Sequence, residues 1–338
     1  SLKPDVVRLI KSKNPCVAEQ SIWLIGNLCG EANLQSNIVC MADVVESTVQ
    51  VLANRKLNQA PNSLLNIAGW TMYNFCSKRC KWKANSKHWK IIKECLPTLG
   101  SIINDEECDH ELLNDILFCV QEITGGENEL IQDIIQVNNL VPRCCQLLSH
   151  KEKNISQRSL HIVGNIVTGS EEQTDAAVIG ANLPYYIHMN MYKWKFNQDV
   201  KNVVWLISNI MASNTNHIQS CLDIKGFFEH NVLDVFDMHF QLNDKSSKSI
   251  VKETIYAISN LMTSGNEQQI QKSIEMGCVS KLLNVINRYS LSSDEHGNEM
   301  IKVASTGLIK VLKTGIKQMR RRHEADNAWN HLIFGRTD

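Results

Sequence analysis

The chain has no surplus of either charge, no long hydrophobic run, no ordered set of cysteines and no phosphate-cradling loop, and each absence removes a class of function. Its 35 Lys and Arg balance 35 Asp and Glu. It is therefore not a broadly basic protein built for phosphate backbones, no direct nucleic-acid partner is expected, and charge recognition has to be local. No apolar run approaches the roughly 18 residues that read as a transmembrane helix, so no membrane partner is expected. Twelve Cys are scattered through apolar helical positions such as Cys29, Cys76 and Cys119, with Cys144 and Cys145 adjacent. That pattern reads as buried thiols in a reducing compartment rather than a disulfide framework. The nearest metal-like groupings, Cys76 with Cys80 and Cys108 with His110, lack the paired spacing of a zinc site, so neither metal nor cofactor is expected. A Gly-rich phosphate loop, a nucleophile elbow and a His and acid constellation are all missing, so the chain does not read as an enzyme.

What is present is a repeat. An aromatic residue followed four positions later by Asn occurs as Trp23 and Asn27, Trp70 and Asn74, His161 and Asn165, Trp205 and Asn209, and Tyr256 and Asn260. Phe118 holds the aromatic place between the second and third pairs, and Glu122 stands where its Asn is due. On a helix, residues four apart share one face, so each unit sets a flat ring beside a carboxamide. The aromatic positions are separated by 47, 48, 43, 44 and 51 residues. Periods near 40 to 47 with helical punctuation belong to armadillo and HEAT solenoids, in which equivalent positions line one surface. The expected fold is all-α, a right-handed armadillo solenoid of about seven repeats, at roughly 1–42, 43–91, 92–138, 139–180, 181–224, 225–277 and 278–338. The chain opens SLKPDVV, without Met and inside a repeat, so an upstream segment is expected.

Such a ridge has a physical use. Asn both donates to and accepts from a peptide backbone, and ring faces form slots for the aliphatic stems of Lys or Arg, with cation–π attraction of about 0.5 to 2 kcal/mol each. Glu31 follows Asn27 by four, Glu171 follows Asn165 by six and Glu253 precedes Tyr256 by three, which places carboxylates near a cationic ligand. Thr168, Gly169 and Thr174 could add hydroxyl and carbonyl oxygens. The plainer reading, that Trp at helical spacing is core, is opposed by the Asn one turn away, which is costly to bury unpaired. Trp82 and Trp89, in the long basic stretch RCKWKANSKHWK, read mainly as packing of an extended loop.

The stretches EQSIWLIGNLCGE (Glu19 to Glu31), NIAGWTMYNFC (Asn66 to Cys76), SLHIVGNIVTGSEEQT (Ser159 to Thr174), NVVWLISNI (Asn202 to Ile210) and KETIYAISN (Lys252 to Asn260) resemble the importin alpha family in order and spacing. The resemblance implies an adaptor, in cytoplasm and nucleus, that binds basic nuclear-localisation peptides in extended form. It implies a major site at Gln20, Trp23, Asn27, Glu31, Trp70 and Asn74, and a minor site at Asn165, Thr168, Glu171, Thr174, Trp205, Asn209, Glu253, Tyr256 and Asn260. Departures from the family pattern are Glu31 for Asp, Tyr256 for Trp, Asn202 for Glu, and Ser77 and His161 for Arg. An N-terminal segment that docks importin beta is not in the chain, so that partner is expected only if an upstream segment supplies it, and the exportin site reads as incomplete. The alternative is an armadillo scaffold for other extended ligands in adhesion, signalling or the cytoskeleton. The densest cationic run, Lys317 to His323, reads as a solvated helix end, with occupation of another copy's ridge as the alternative.

Overall fold

Asn14 and Pro15 show how the first long helix is set. Pro at the first helical position has no N–H to leave unsatisfied, and the Asn14 side chain accepts from the Cys16 N–H at 3.0 Å. The computed structural model describes residues 3–31, 41–57, 59–77, 83–194, 199–242, 244–292 and 294–334, the side chains of 3 and 322–334 excepted. Trp82, Cys80 and the side chains of Arg322 and His323 thus lie outside the described residues. Among the described residues the secondary structure is entirely helical.

The chain divides into two compact units, 1–190 and 191–338. In the first, the helices are α1 Lys3–Ile10, α2 Pro15–Gly30, α3 Ala42–Ala53, α4 Asn62–Cys76, α5 Lys87–Lys93, α6 Leu96–Ile103, α7 His110–Thr124, α8 Asn128–Ile135, α9 Leu140–Leu147, α10 Lys153–Ile166 and α11 Glu171–Asp175, then a π-helical turn Ala176–Gly180. Helix α12, Leu183–Trp194, contains the division. The long helices α2, α4, α7 and α10 pack successively on one another, and the short ones fill in beside them. Their inner faces are fully buried aliphatics, among them Ile22, Met72, Leu117 and Ile162. The second unit repeats the plan with α13 Val200–Ala212, α14 Thr215–Leu222, a π-helical turn Glu229–Leu233, α15 Asp234–Phe240, α16 Lys245–Ser264, α17 Glu267–Glu275, α18 Cys278–Tyr289 and α19 Glu295–Phe334. There α13 packs on α16 and α16 on α19.

Neighbouring repeats are tied by a device that recurs in both units. Ser170 and Gln173 form a capping box at the start of α11, and Asn266 and Gln269 form one at the start of α17. In each, the Gln amide also reaches the preceding repeat. Gln173 Nε2 donates to the Asn128 carbonyl at 2.8 Å and to Gln132 Oε1 at 3.2 Å, and Gln269 Nε2 to the Thr215 carbonyl at 2.8 Å and to Gln219 Oε1 at 3.0 Å. Both glutamines are buried, so each caps its own helix while stapling it to the equivalent helix of the preceding repeat.

Two local expectations change. The basic stretch before α6 is not all loop, because Ser86 caps α5 and Trp89 on that helix is 2% exposed, its indole N–H donating to Asp133 at 3.1 Å. That geometry settles Trp89 as packing. The last helix runs to Phe334, so the cationic run lies inside a helix rather than at its end. Arg321 forks onto Glu267 at 2.8 and 3.0 Å, and a helical run cannot lie extended along a row of rings without unwinding. Most described cysteines are buried, and burial pushes the Cys95, Cys144 and Cys278 thiols up to about 12, which makes them poor nucleophiles.

Candidate functional site

The ring and carboxamide positions all fall on the long helices. In the first unit, Trp23 and Asn27 stand on α2 and are exposed, with 48% of the Trp23 surface open. Gln20 and Glu31 are exposed on the same helix and at its C-cap. Trp70 and Asn74 on α4 are half-buried. The Trp70 ring sits against Gly26 of α2, where an added Cβ would meet ring carbons at 2.3 and 2.8 Å. Glycine at 26 therefore lets the ring of one repeat lean on the helix of the previous one.

The carboxamides follow a rule that the sequence did not announce. Asn74 Nδ2 donates to the Gly26 carbonyl at 3.1 Å, Asn165 Nδ2 to the Gln121 carbonyl at 3.4 Å and Thr124 Oγ1 at 3.2 Å, and Asn260 Nδ2 to the Ser208 carbonyl at 3.0 Å. In these three the carbonyl acceptor belongs to the residue just before the equivalent Asn position of the preceding repeat: Gly26 before Asn27, Gln121 before Glu122, Ser208 before Asn209. Asn27 instead turns its amide onto its own helix, at the Trp23 carbonyl, 2.9 Å. Asn209 is the exception, with Nδ2 buried and no hydrogen-bond partner among the described residues. The amide donor is thus largely used within the chain, and the carbonyl oxygen is what these side chains can offer outward.

Between the second and third pairs the face is filled by the chain itself. The Phe118 ring stacks on Tyr73 with centroids 3.7 Å apart, and the Arg158 guanidinium covers it at 4.8 Å. Arg158 is held there by Asn114 Oδ1 at 2.8 Å and Gln121 Oε1 at 3.3 Å. A cleft of about 200 Å³ opens beside it, lined by Gln121, Asn154, Gln157, Arg158 and His161. Burial pushes the nearby Asp115 carboxyl up to about 6, against the pull of Asn114 and Arg158. Glu122 in the Asn position is only 6% exposed. Asp115 and Arg158 stand at the same helical offset, three residues before the ring position, as Gln20 and Glu253, a signal that was readable but unused.

Farther along α10 and α11, Asn165 is half-buried and Glu171 is exposed in the first turn of α11. The Thr168 hydroxyl is exposed but donates to the Asn165 carbonyl at 2.7 Å. Thr174 does not offer a hydroxyl to any ligand: it is buried, and its Oγ1 donates to the Ser170 carbonyl at 3.0 Å. In the second unit Trp205, Asn209, Glu253, Tyr256 and Asn260 are all half-buried on α13 and α16. The Tyr256 hydroxyl donates to Glu299 at 2.9 Å, Lys252 pairs with the same carboxylate at 2.7 Å, and its ammonium lies 5.9 Å from the Tyr256 ring centre. Where the resemblance expects Trp, the hydroxyl of Tyr gives Glu299 a hold on the ring. Burial raises the Glu253 carboxyl above its usual range, against the pull of Lys201 and Lys252.

Among the described residues no group of three or more His, Cys, Asp or Glu could hold a metal ion, and no helix is long and apolar enough to cross a membrane.

No family model matches the chain. It is 30% identical over 186 residues to importin subunit alpha-1b of Oryza sativa subsp. japonica, covering 55% of this chain and 33% of that protein. It is 25% identical over 312 residues to importin subunit alpha-8 of Arabidopsis thaliana, covering 92% of this chain and 64% of that one. The chain therefore spans less than two thirds of the length of these relatives. Among solved structures it superposes on a designed armadillo repeat protein with a TM-score of 0.61, 23% identity, and coverage of 79% and 99% of the two chains. A second designed armadillo repeat protein, solved in complex with the peptide (KR)4, gives 0.60 at 21% identity, with coverage of 79% and 99%. The fold is the armadillo-repeat solenoid.

Proposed function

We propose, from the premise that the chain belongs to the importin alpha family of armadillo-repeat proteins, that it is a nuclear import adaptor whose ring and carboxamide faces bind basic peptides in extended form. The observation that carries the reading is the repeated pairing of a ring with an Asn whose amide is already committed to the chain. Asn27, Asn165 and Asn260 then present Oδ1 to a ligand's backbone N–H, while Trp23, Trp70 and Trp205 present ring faces to Lys and Arg stems. Glu31 in the first unit and Glu253 in the second supply carboxylates of the sign a basic peptide needs. Gln20 and Glu171 complete the polar surroundings, and the Thr168 hydroxyl is open enough to accept as well as donate. In the second unit Tyr256 is the weaker ring, since Lys252 and Glu299 already engage it. Work in cytoplasm and nucleus belongs to the same proposal.

The test is titration of a fluorescent (KR)4 peptide, with an alternating Glu and Ala peptide as control. Trp23→Ala is the informative variant, because that ring is the most open and its loss disturbs packing least. Binding should weaken by about 1 to 3 kcal/mol, as for an aromatic anchor, with the melting temperature little changed. Equal affinity for wild type and variant, or preference for the acidic control, would favour an armadillo scaffold for other ligands.

A further inference from the structure

Helix α19 carries an apolar stripe that the rest of the chain leaves open. Its N-terminal half is packed: Met300 and Ala304 are fully buried, and at Gly307 an added Cβ would press on Leu282 and on the Ser259 backbone. Beyond it, Ile309, Leu312, Ile316 and Met319 remain 47% to 65% exposed. Their spacing of three, four and three residues is that of two consecutive coiled-coil heptads, which sets the four on one face over about 15 Å of helix. On the inner side of the stripe lies a cleft of about 270 Å³, whose far wall is Ile270, Gln271 and Ile274 of α17. On its outer side runs a row of exposed cations, Lys302, Lys313, Lys317 and Arg320. From Met300 to His323 the sequence has no Asp or Glu. Arg321 is neutralised by Glu267 and Lys317 stands 4.0 Å from that carboxylate, whereas Lys302, Lys313 and Arg320 make no ion pair among the described residues.

We propose that this stripe is a second docking surface, and that its occupant is an amphipathic helix from another protein with a leucine-type seam and an acidic flank. Heptad spacing selects a helix, since an extended chain would present side chains at a period of two and meet only every other site. The cleft beside Leu312, Ile316 and Met319 is of a size to take the apolar knobs of such a partner between α17 and α19. The cationic row selects the sign of the flank, because residues beside a coiled-coil seam set partner choice by charge. A second copy of this chain is disfavoured by the same row, which would face its own like charges. An anionic lipid surface is disfavoured because α17 walls one side of the stripe, so a plane could not seat on it. The ligand chemistry is opposite to that of the ring and carboxamide faces, so the two surfaces would not compete for one partner.

The experiment uses the full chain and two synthetic helical peptides of about 21 residues, three heptads with Leu at the seam. One peptide has Glu at the flanking positions and the other has Lys. The Leu and Glu peptide should bind in fluorescence anisotropy, and the Leu and Lys peptide should not. The variant Lys313→Glu, Lys317→Glu, Arg320→Glu should lose the acidic peptide by about tenfold or more and gain the basic one. Leu312→Gln with Met319→Gln should weaken the acidic peptide by about tenfold. Both variants should leave (KR)4 binding unchanged, which separates this surface from the one proposed above. These residues are exposed, so the fold should survive. If a variant does not fold, the contrast between the two peptides on the wild-type chain decides alone. Equal binding of both peptides, no binding of the acidic one, uptake onto phosphatidylserine vesicles in its place, or a wild-type dimer that the Gln variant dissolves would each overturn the proposal.

Discussion

At the scale of single residues, the candidate site is a compromise between packing and presentation. Asp115 illustrates it. Burial beside Phe118 lifts its carboxyl to about 6, while an unfolded Asp titrates near 3.8. The folded state therefore holds the proton more tightly, and stability attributable to this group falls as pH rises from about 4 through about 6, with the full penalty present above. Asp115→Asn removes the charge and keeps the shape. Its melting temperature should exceed that of the wild type at pH 7.5 and match it at pH 4, a comparison that calorimetry can make directly, and an equal difference at both values would refute the assignment. The ring and Asn positions were legible from spacing alone, because a four-residue offset on a helix fixes a shared face whatever else is present. The commitment of the Asn amides was not, since it depends on a backbone carbonyl 44 to 52 residues away whose side chain is irrelevant: Gly26, Gln121 and Ser208 have nothing in common but position. Thr174 failed for the same kind of reason. Its hydroxyl is consumed by a carbonyl of its own helix start, which no residue-type argument reveals.

At the scale of elements, each repeat is held less by its own helices than by its predecessor. The capping-box glutamines are the clearest instance, because one side chain terminates a helix and bridges to the previous repeat at once. Replacing either Gln173 or Gln269 with Ala removes a cap bond and leaves buried carbonyls short of a donor, at a cost of about 1 to 3 kcal/mol. Urea denaturation followed by circular dichroism should show the loss for both, whereas Gln271→Ala on the exposed face of α17 should change little. The helical class and the repeat order were readable from the spacing of the ring positions. Boundaries were less readable where polar sequence continues a helix. The cationic run is rich in Lys and Arg, which are good helix formers, so α19 continues through it rather than ending there.

At the scale of the whole molecule, a net charge of zero means there is no long-range field to draw a ligand in. On the proposed reading, attraction for a basic peptide comes from a few carboxylates such as Glu31, which is exposed, and Glu253, which is half-buried, and salt screens charges of this kind over about 8 to 10 Å. Affinity for (KR)4 should accordingly fall as NaCl rises from about 0.05 to 0.5 M, while the urea midpoint stays nearly constant, and salt-insensitive affinity would point to apolar anchoring instead. One further consequence lies in the carboxamide bonds. Six repeats place Trp, Trp, Phe, His, Trp and Tyr at the ring position, but Asn at five of the six partner positions. Trp70 leans on Gly26, Phe118 stacks on Tyr73 and Tyr256 is held by Glu299, so each flat group at the ring position brings its own local contacts. Asn74, Asn165 and Asn260 tie one repeat to the one before, so substitution there costs a bond between repeats as well as any contact with the proposed ligand. The chain's variety is therefore written in its rings, and its grammar in the asparagines.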